Sequence, residues 1–252
     1  MSGTVTAPHP YVDLMNNVAR EQRWANQRPR DAATMMIIDR SAKKPQVLMG
    51  KRHEGHKFMP GKFVFPGGRI EAQDRFMPVA GALSDPVESR LMQAVQRPTL
   101  SRARGLALAA IRETFEETGL MIGTKSYGAP EQGPDGPWQT FIEHGVFPTL
   151  EPIHFIGRAI TPPRRPKRFD TRFFAVDRQD ICHEVEGIVG PEAELVELVW
   201  VPLDEAARLD LPNVTEVMLL ELMDRIAAGF THKLPVPLYK YLYGRFERTL
   251  LS

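Results

Sequence analysis

The order of elements in this 252-residue chain predicts an α/β fold, an α/β/α sandwich around a mixed β-sheet. Three observations carry that expectation. Strand-like runs open the chain, a long helical pattern closed by a glycine follows them, and further strand runs lead to a second amphipathic helix. The length and the 42% hydrophobic content suffice for one large domain with a sizeable core.

In order, Ala33 to Ile38 and Gln46 to Lys51 read as two strands joined by a Ser41-to-Pro45 turn. Lys62 to Phe65 is a short strand running into Pro66-Gly67-Gly68. Asp85-Pro86 starts a helix that reaches about Gln96, since proline suits the first helical turn, and Pro98 ends it. Ser101 can cap the next helix, which runs to Thr118 with Gly119 as its stop. Gly123 to Pro137 reads as a loop, and Ile153 to Ile160 and Thr171 to Val176 as strands. Leu195 to Val201 is a further strand, Asp204 opens a short helix, and Pro212 to Ala228 is an amphipathic helix. Residues 1–30 form a polar N-terminal extension, residues 31–230 the domain, and residues 231–252 an aromatic and basic tail.

Composition excludes several classes. With 32 basic and 31 acidic residues the net charge is +1, which gives no global pull towards nucleic acid or membrane. One cysteine, Cys182, excludes an internal disulfide framework and a Cys-rich zinc site, and fits a reducing compartment. The N-terminal residues lack a secretory h-region, and no run of 18 apolar residues occurs, so a cytoplasmic protein without a membrane span is expected.

The richest chemistry lies in Arg112-Glu113-Thr114-Phe115-Glu116-Glu117-Thr118-Gly119-Leu120. At about 100° per residue, Glu113, Glu116 and Glu117 share one sector of the helix, while Leu108, Ile111 and Phe115 cluster roughly opposite. Like charges this close repel, and a hard divalent cation such as Mg²⁺ reverses that cost by binding carboxylate oxygens. The plainer alternative is a solvated acidic face with Arg112 and Glu116 paired at i, i+4. Upstream, Phe65-Pro66-Gly67-Gly68-Arg69-Ile70-Glu71 runs from strand to loop through two glycines, whose backbone can approach a ligand closely.

Together these segments resemble the Nudix hydrolase family, whose box reads G-x5-E-x7-R-E-U-x-E-E-x-G-U with U a bulky aliphatic residue. Arg112 to Leu120 match its second half, with Thr114 at a U position, and Gly68 matches the leading glycine. Asp74 takes the box glutamate position with a shorter carboxylate. Residues 75–111 then stand where the family usually has seven, an insertion that residues 75–100 largely make up. A branch resembling the peroxisomal CoA-directed Nudix enzymes carries a long insertion at the same place. The resemblance implies a Nudix-type α/β/α sandwich and a diphosphatase that uses Mg²⁺ or Mn²⁺. It implies metal binding by Gly68, Glu113, Glu116 and Glu117, with Glu113 as candidate general base and Arg112 orienting the acids. Coenzyme A or an acyl-CoA is the preferred substrate, giving 3′,5′-ADP and a phosphopantetheine fragment. ADP-ribose, dinucleotides and nucleotide sugars are the alternatives, and a non-catalytic nucleotide sensor is the reading from another class. The partner expected is a small nucleotide substrate, with no nucleic acid and no membrane; a homo-oligomer is left open.

The substrate's phosphates need cations. Arg52 lies in the run Gly50 to Gly61, which mixes cations, histidines and glycines, and Arg69 follows the glycine pair. Arg164, Arg165 and Arg168 form the strongest basic cluster, which reads equally as a solvated connection. His53 and His56 read as surface residues, because Mg²⁺ prefers oxygen. Several Nudix enzymes take an extra catalytic acid from a late loop, and Glu184, Glu186, Glu192, Glu194 and Glu197 all qualify here. Cys182 reads as a small buried apolar residue.

Overall fold

A computed structural model describes residues 9–17, 21–55 and 59–252. Its main sheet has nine strands: β1 (Arg30–Asp39), β2 (Gln46–Arg52), β3 (Phe63–Val64), β4 (Gly67–Arg69), β6 (His154–Ile160), β7 (Phe169–Asp177), β9 (Leu195–Pro202), β10 (Val236–Leu242) and β11 (Arg245–Leu251). The path β11-β10-β6-β7-β1-β2-β3 is mixed: β1 pairs parallel with β7, β10 parallel with β6, and the other pairs are antiparallel. A small second sheet joins β5 (Leu120–Ile122) to β8 (Ile181–Glu184).

Helices cover both faces. Alternation along β1 sends Ala33, Met35 and Ile37 into a core with α3 (Leu100–Thr118), and Met36 and Ile38 into a core with α6 (Asn213–Ala227). This is the three-layer arrangement that the strand and helix order predicts. The short helix α5 (Leu203–Ala206) follows β9. Among the described residues no helix is long and apolar enough to cross a membrane.

Several elements depart from the sequence expectations. The N-terminal extension contains α1 (Pro10–Asn16), docked by a 2.7 Å bond from the Tyr11 hydroxyl to Asp224 and by Asn213 donating to the Leu14 carbonyl. The expected tail is the edge hairpin β10–β11, so it completes the sheet. Its alternating Leu238 and Tyr239 are both buried, on opposite faces, which fits a strand covered on both sides. Thr99, rather than Ser101, caps α3: its hydroxyl accepts from the Arg102 N–H at 3.1 Å. The insertion contains a 3₁₀ turn at Asp74–Phe76 and α2 (Asp85–Met92), shorter than the helix to Gln96, and it adds no strand to the sheet. The Gly- and Pro-rich loop runs into α4 (Pro137–Glu143), which begins with proline at its first position as helix starts do.

Candidate active site around the acidic helix

β4 lies antiparallel to the first half of β1, Gly67 opposite Thr34 and Gly68 opposite Ala33. A Cβ on Gly67 would stand 2.7 Å from Thr34 Cα, so no larger residue lets the strands close. A Cβ on Gly68 would overlap the Glu113 carboxylate. The glycine pair therefore seals β4 onto β1 and leaves room above it for an acid of α3.

α3 packs on β1 and β4 from one side and meets α2 and α4 on others. Arg112 is consequently buried at 2% exposure, so the reading of Arg112 and Glu116 as a solvated pair does not hold. Its guanidinium donates through Nε to Asp74 at 2.7 Å, through Nη2 to Asp74 at 3.2 Å and to the Arg69 carbonyl at 2.8 Å, and through Nη1 to Glu113 at 2.9 Å and to Glu116. Burial works against its charge, but Asp74, Glu113 and Glu116 outweigh burial and hold it protonated above the ordinary arginine value. Asp74 is fully buried and accepts two further bonds, from the Glu71 N–H at 2.7 Å and from the Trp138 indole at 3.2 Å. The shorter carboxylate thus reaches Arg112 and supports it.

The acids outnumber the cation. Burial, then Glu116 and Asp74, push Glu113 up to about 7 against the pull of Arg112. Burial also raises Glu116. Glu117 stands well above its ordinary value, through burial first and then through the charges of Glu194 and Glu113. It accepts from the Gly67 N–H, yet its Oε2 is buried without a partner among the described residues. Glu194 comes from the loop before β9 and is held by Arg52 Nη2 at 2.8 Å. Of the five late acids, Glu194 is the one whose charge acts on Glu117.

Among the described residues, no three histidine, cysteine or carboxylate side chains converge on one point in this arrangement, because Glu113 and Glu116 lean on Arg112 instead. The donor set nevertheless fits a hard cation: all its atoms are oxygens, its carboxylates outnumber Arg112, and the buried Glu117 Oε2 has no hydrogen-bond partner among the described residues. Glu113, Glu116, Glu117 and the Gly68 backbone are the groups that could hold one.

A cavity of about 740 Å³ opens beside Glu113, lined by Arg30, Asp31, Arg69, Glu71 and Gln73 among others. Arg69, expected at the substrate, lies on it. Arg164, Arg165 and Arg168 do not line it. Arg168 donates to the Thr161 and Gln27 carbonyls and to Asn26, and Arg165 donates to the Glu21 carbonyl. Arg164 is exposed in the turn between β6 and β7. Of the run before the glycine pair, His53 accepts from the Gly55 N–H at 2.9 Å, while His56, Lys57 and Phe58 lie outside the described residues. Cys182 is half-buried against the core. Trp138 was not singled out from the sequence; Gly136-Pro137 before it is a helix-start signal, but nothing in the chain order announces its contact with Asp74.

The fold on which these acids sit is that of the Nudix hydrolases. The chain is 26% identical to the Nudix hydrolase from Alicyclobacillus acidocaldarius, with a TM-score of 0.57 over 77% of this chain and 90% of that one. Among curated proteins it is similar to acyl-coenzyme A diphosphatase NUDT19 of Gallus gallus, 32% identical over 124 residues. That match covers 42% of this chain and only 32% of the relative's length. No protein-family model matches the chain.

Proposed function

We propose that this chain is a divalent-metal-dependent diphosphatase that cleaves the P–O–P link of coenzyme A or an acyl-CoA. The observation that carries the reading is the buried excess of carboxylates on α3, gathered over Gly67-Gly68 and braced by a single arginine. The curated similarity to an acyl-CoA diphosphatase supports the substrate class. Glu113, Glu116 and Glu117, with the Gly68 carbonyl, would hold Mg²⁺ or Mn²⁺, which when bound supplies charge neutralisation at the diphosphate and a more acidic water. Glu113 takes the proton of the attacking water, its carboxylate held in place by Arg112 Nη1 at 2.9 Å. Glu194, fixed by Arg52, is the late-loop acid that can share this work. Arg69 meets a substrate phosphate in the cavity, and Arg112 fixes the geometry of Glu113 and Glu116 without touching substrate.

The test offers CoA, dephospho-CoA and ADP-ribose with and without Mg²⁺, with products identified by mass spectrometry. Mg²⁺-dependent release of 3′,5′-ADP and the phosphopantetheine fragment from CoA is expected, with dephospho-CoA slower. Equal turnover of all three would reduce the assignment to a general ADP-linked diphosphatase, and no turnover of any would sink it.

A further inference from the structure

We infer that Trp138 is a positioning residue for the acidic helix, acting through Asp74 and Arg112; the inference rests on the diphosphatase reading. Trp138 lies on α4, outside the box and 64 residues beyond Asp74 in sequence. Its side chain is completely buried, and its Nε1–H finds Asp74 Oδ1 at 3.2 Å. That same oxygen receives Arg112 Nε at 2.7 Å, and Arg112 in turn holds Glu113 and Glu116.

The geometry gives the indole a specific task. Asp74 has one methylene fewer than the glutamate of the box pattern, so its carboxylate has less freedom to follow the guanidinium. It must be brought to Arg112 by its own surroundings. The Glu71 N–H fixes Oδ2 at 2.7 Å from within the turn, and Trp138 fixes Oδ1 from across the layer. Buried charge-assisted bonds of this kind hold orientation tightly, because a partner lost inside leaves an unpaired charge. The ring is itself locked: it packs on Phe141 at 5.0 Å, and Phe141 packs edge-on against Phe115 of α3 at 5.3 Å. One short helix therefore grips α3 twice, at Phe115 by packing and at Arg112 through Asp74.

The experiment uses the full chain. Trp138→Phe keeps the ring packing and deletes the donor. Its melting temperature should stay within ~3 °C of the unaltered protein. Turnover of CoA should fall ~10-fold with KM changed less than ~2-fold, the scale for groups that orient ligands from behind. In an Asp74→Asn background the same substitution should cost nothing further, because both changes cut one chain of contacts. Trp138→His, which keeps an N–H donor, should recover part of the lost turnover. Independently of substrate, the Arg112 Nε–H signal in ¹⁵N NMR should exchange faster with water in Trp138→Phe. Unchanged turnover, or a loss that adds fully to that of Asp74→Asn, would overturn the inference. If Trp138→Phe does not fold, the unaltered protein decides: a Trp138 Nε1–H that exchanges like a free indole refutes the contact. Should the unaltered protein cleave no diphosphate, the functional reading fails while the NMR measurements still judge the Trp138–Asp74–Arg112 chain.

Discussion

Two buried charge clusters flank α3, and they are imbalanced in opposite senses. Near its C-terminal end, Arg112 faces Asp74, Glu113 and Glu116, with Glu117 close by. Near its N-terminal end, Arg102, Arg158 and Arg172 share Asp31 and Asp170. The second excess is largely absorbed by the backbone. Arg158 donates to the Gln93 and Ala94 carbonyls, Arg102 to that of Gln96, and Arg172 to that of Asp170. Only Arg172 keeps Nε and Nη2 unpartnered there. The acidic excess is relieved in part by the Glu71 N–H and the Trp138 indole at Asp74 and by the Gly67 N–H at Glu117, while Glu117 Oε2 is left without a hydrogen-bond partner among the described residues. Carbonyls left over at the ends of helices and turns can soak up arginines, whereas backbone N–H groups are mostly spent inside the elements. The cationic cluster is thus a fastening of the sheet to α3 and the insertion, and the acidic one keeps a buried excess of carboxylates.

The largest effect should come from removing charge at the acidic cluster. Glu117→Gln keeps volume and removes the charge of a proposed ligand, so Mg²⁺-dependent turnover should fall at least about 100-fold. Its melting temperature without metal should hold or rise, since a buried repelling acid is gone. Turnover at the unaltered level would remove Glu117 from the site. The converse substitution tests the fastening. Asp170→Asn strips a carboxylate shared by Arg158 and Arg172, and breaking a buried pair costs about 3–5 kcal/mol of stability by denaturant titration. The variant that remains folded should turn over at close to the unaltered rate. A variant that is stable but inactive would show that the two clusters are not separate in function.

Much of this was legible in the chain. The box half from Arg112 to Leu120 and the glycine pair pointed to the acids, through the helical spacing that puts Glu113, Glu116 and Glu117 on one sector and through the resemblance to the Nudix box. The sandwich followed from hydrophobic periodicity. What the sequence did not disclose were contacts made across long separations. Asp74 looked like a weakened glutamate because Trp138 lies far down the chain. Glu194 was one acid among five until β9 paired with β2 and set it beside Arg52. The hairpin β10–β11 looked like an aromatic and basic tail because Tyr239, Tyr241, Tyr243 and Phe246 lie among Lys240, Arg245 and Arg248, and nothing in the chain order announces that β10 pairs with β6. The basic run at Arg164–Arg168 invited a phosphate, but the N-terminal segment takes the donors of Arg165 and Arg168.

The smallest effect is also the sharpest contrast, because the two clusters should respond to pH with opposite signs. Glu113 is raised from an ordinary value of 4.5 to about 7, so between those values the folded protein binds more protons than the unfolded chain. Its contribution to stability is then full below 4.5 and lost as pH rises towards 7, on the order of 3 kcal/mol. Asp170 is also penalised by burial, but Arg158, Arg172 and Arg102 outweigh this and hold it below its ordinary 3.8. Its contribution is present above 3.8 and disappears as pH falls below it. The slope of the whole metal-free protein also carries the half-buried His154 and His232, which burial holds below their ordinary value and which favour folding as pH rises. The contrast to measure is therefore a difference: from pH 4.5 to 7, Glu113→Gln should gain melting temperature relative to the unaltered metal-free protein. Saturating Mg²⁺ should restore stability at pH 7 and do little at pH 4.5, where the carboxylates carry protons. Asp170→Asn should leave the upper slope unchanged and weaken the fall below pH 3.8. Identical slopes from pH 4.5 to 7 in the metal-free protein and in Glu113→Gln would mean that Glu113 does not hold its proton in the fold.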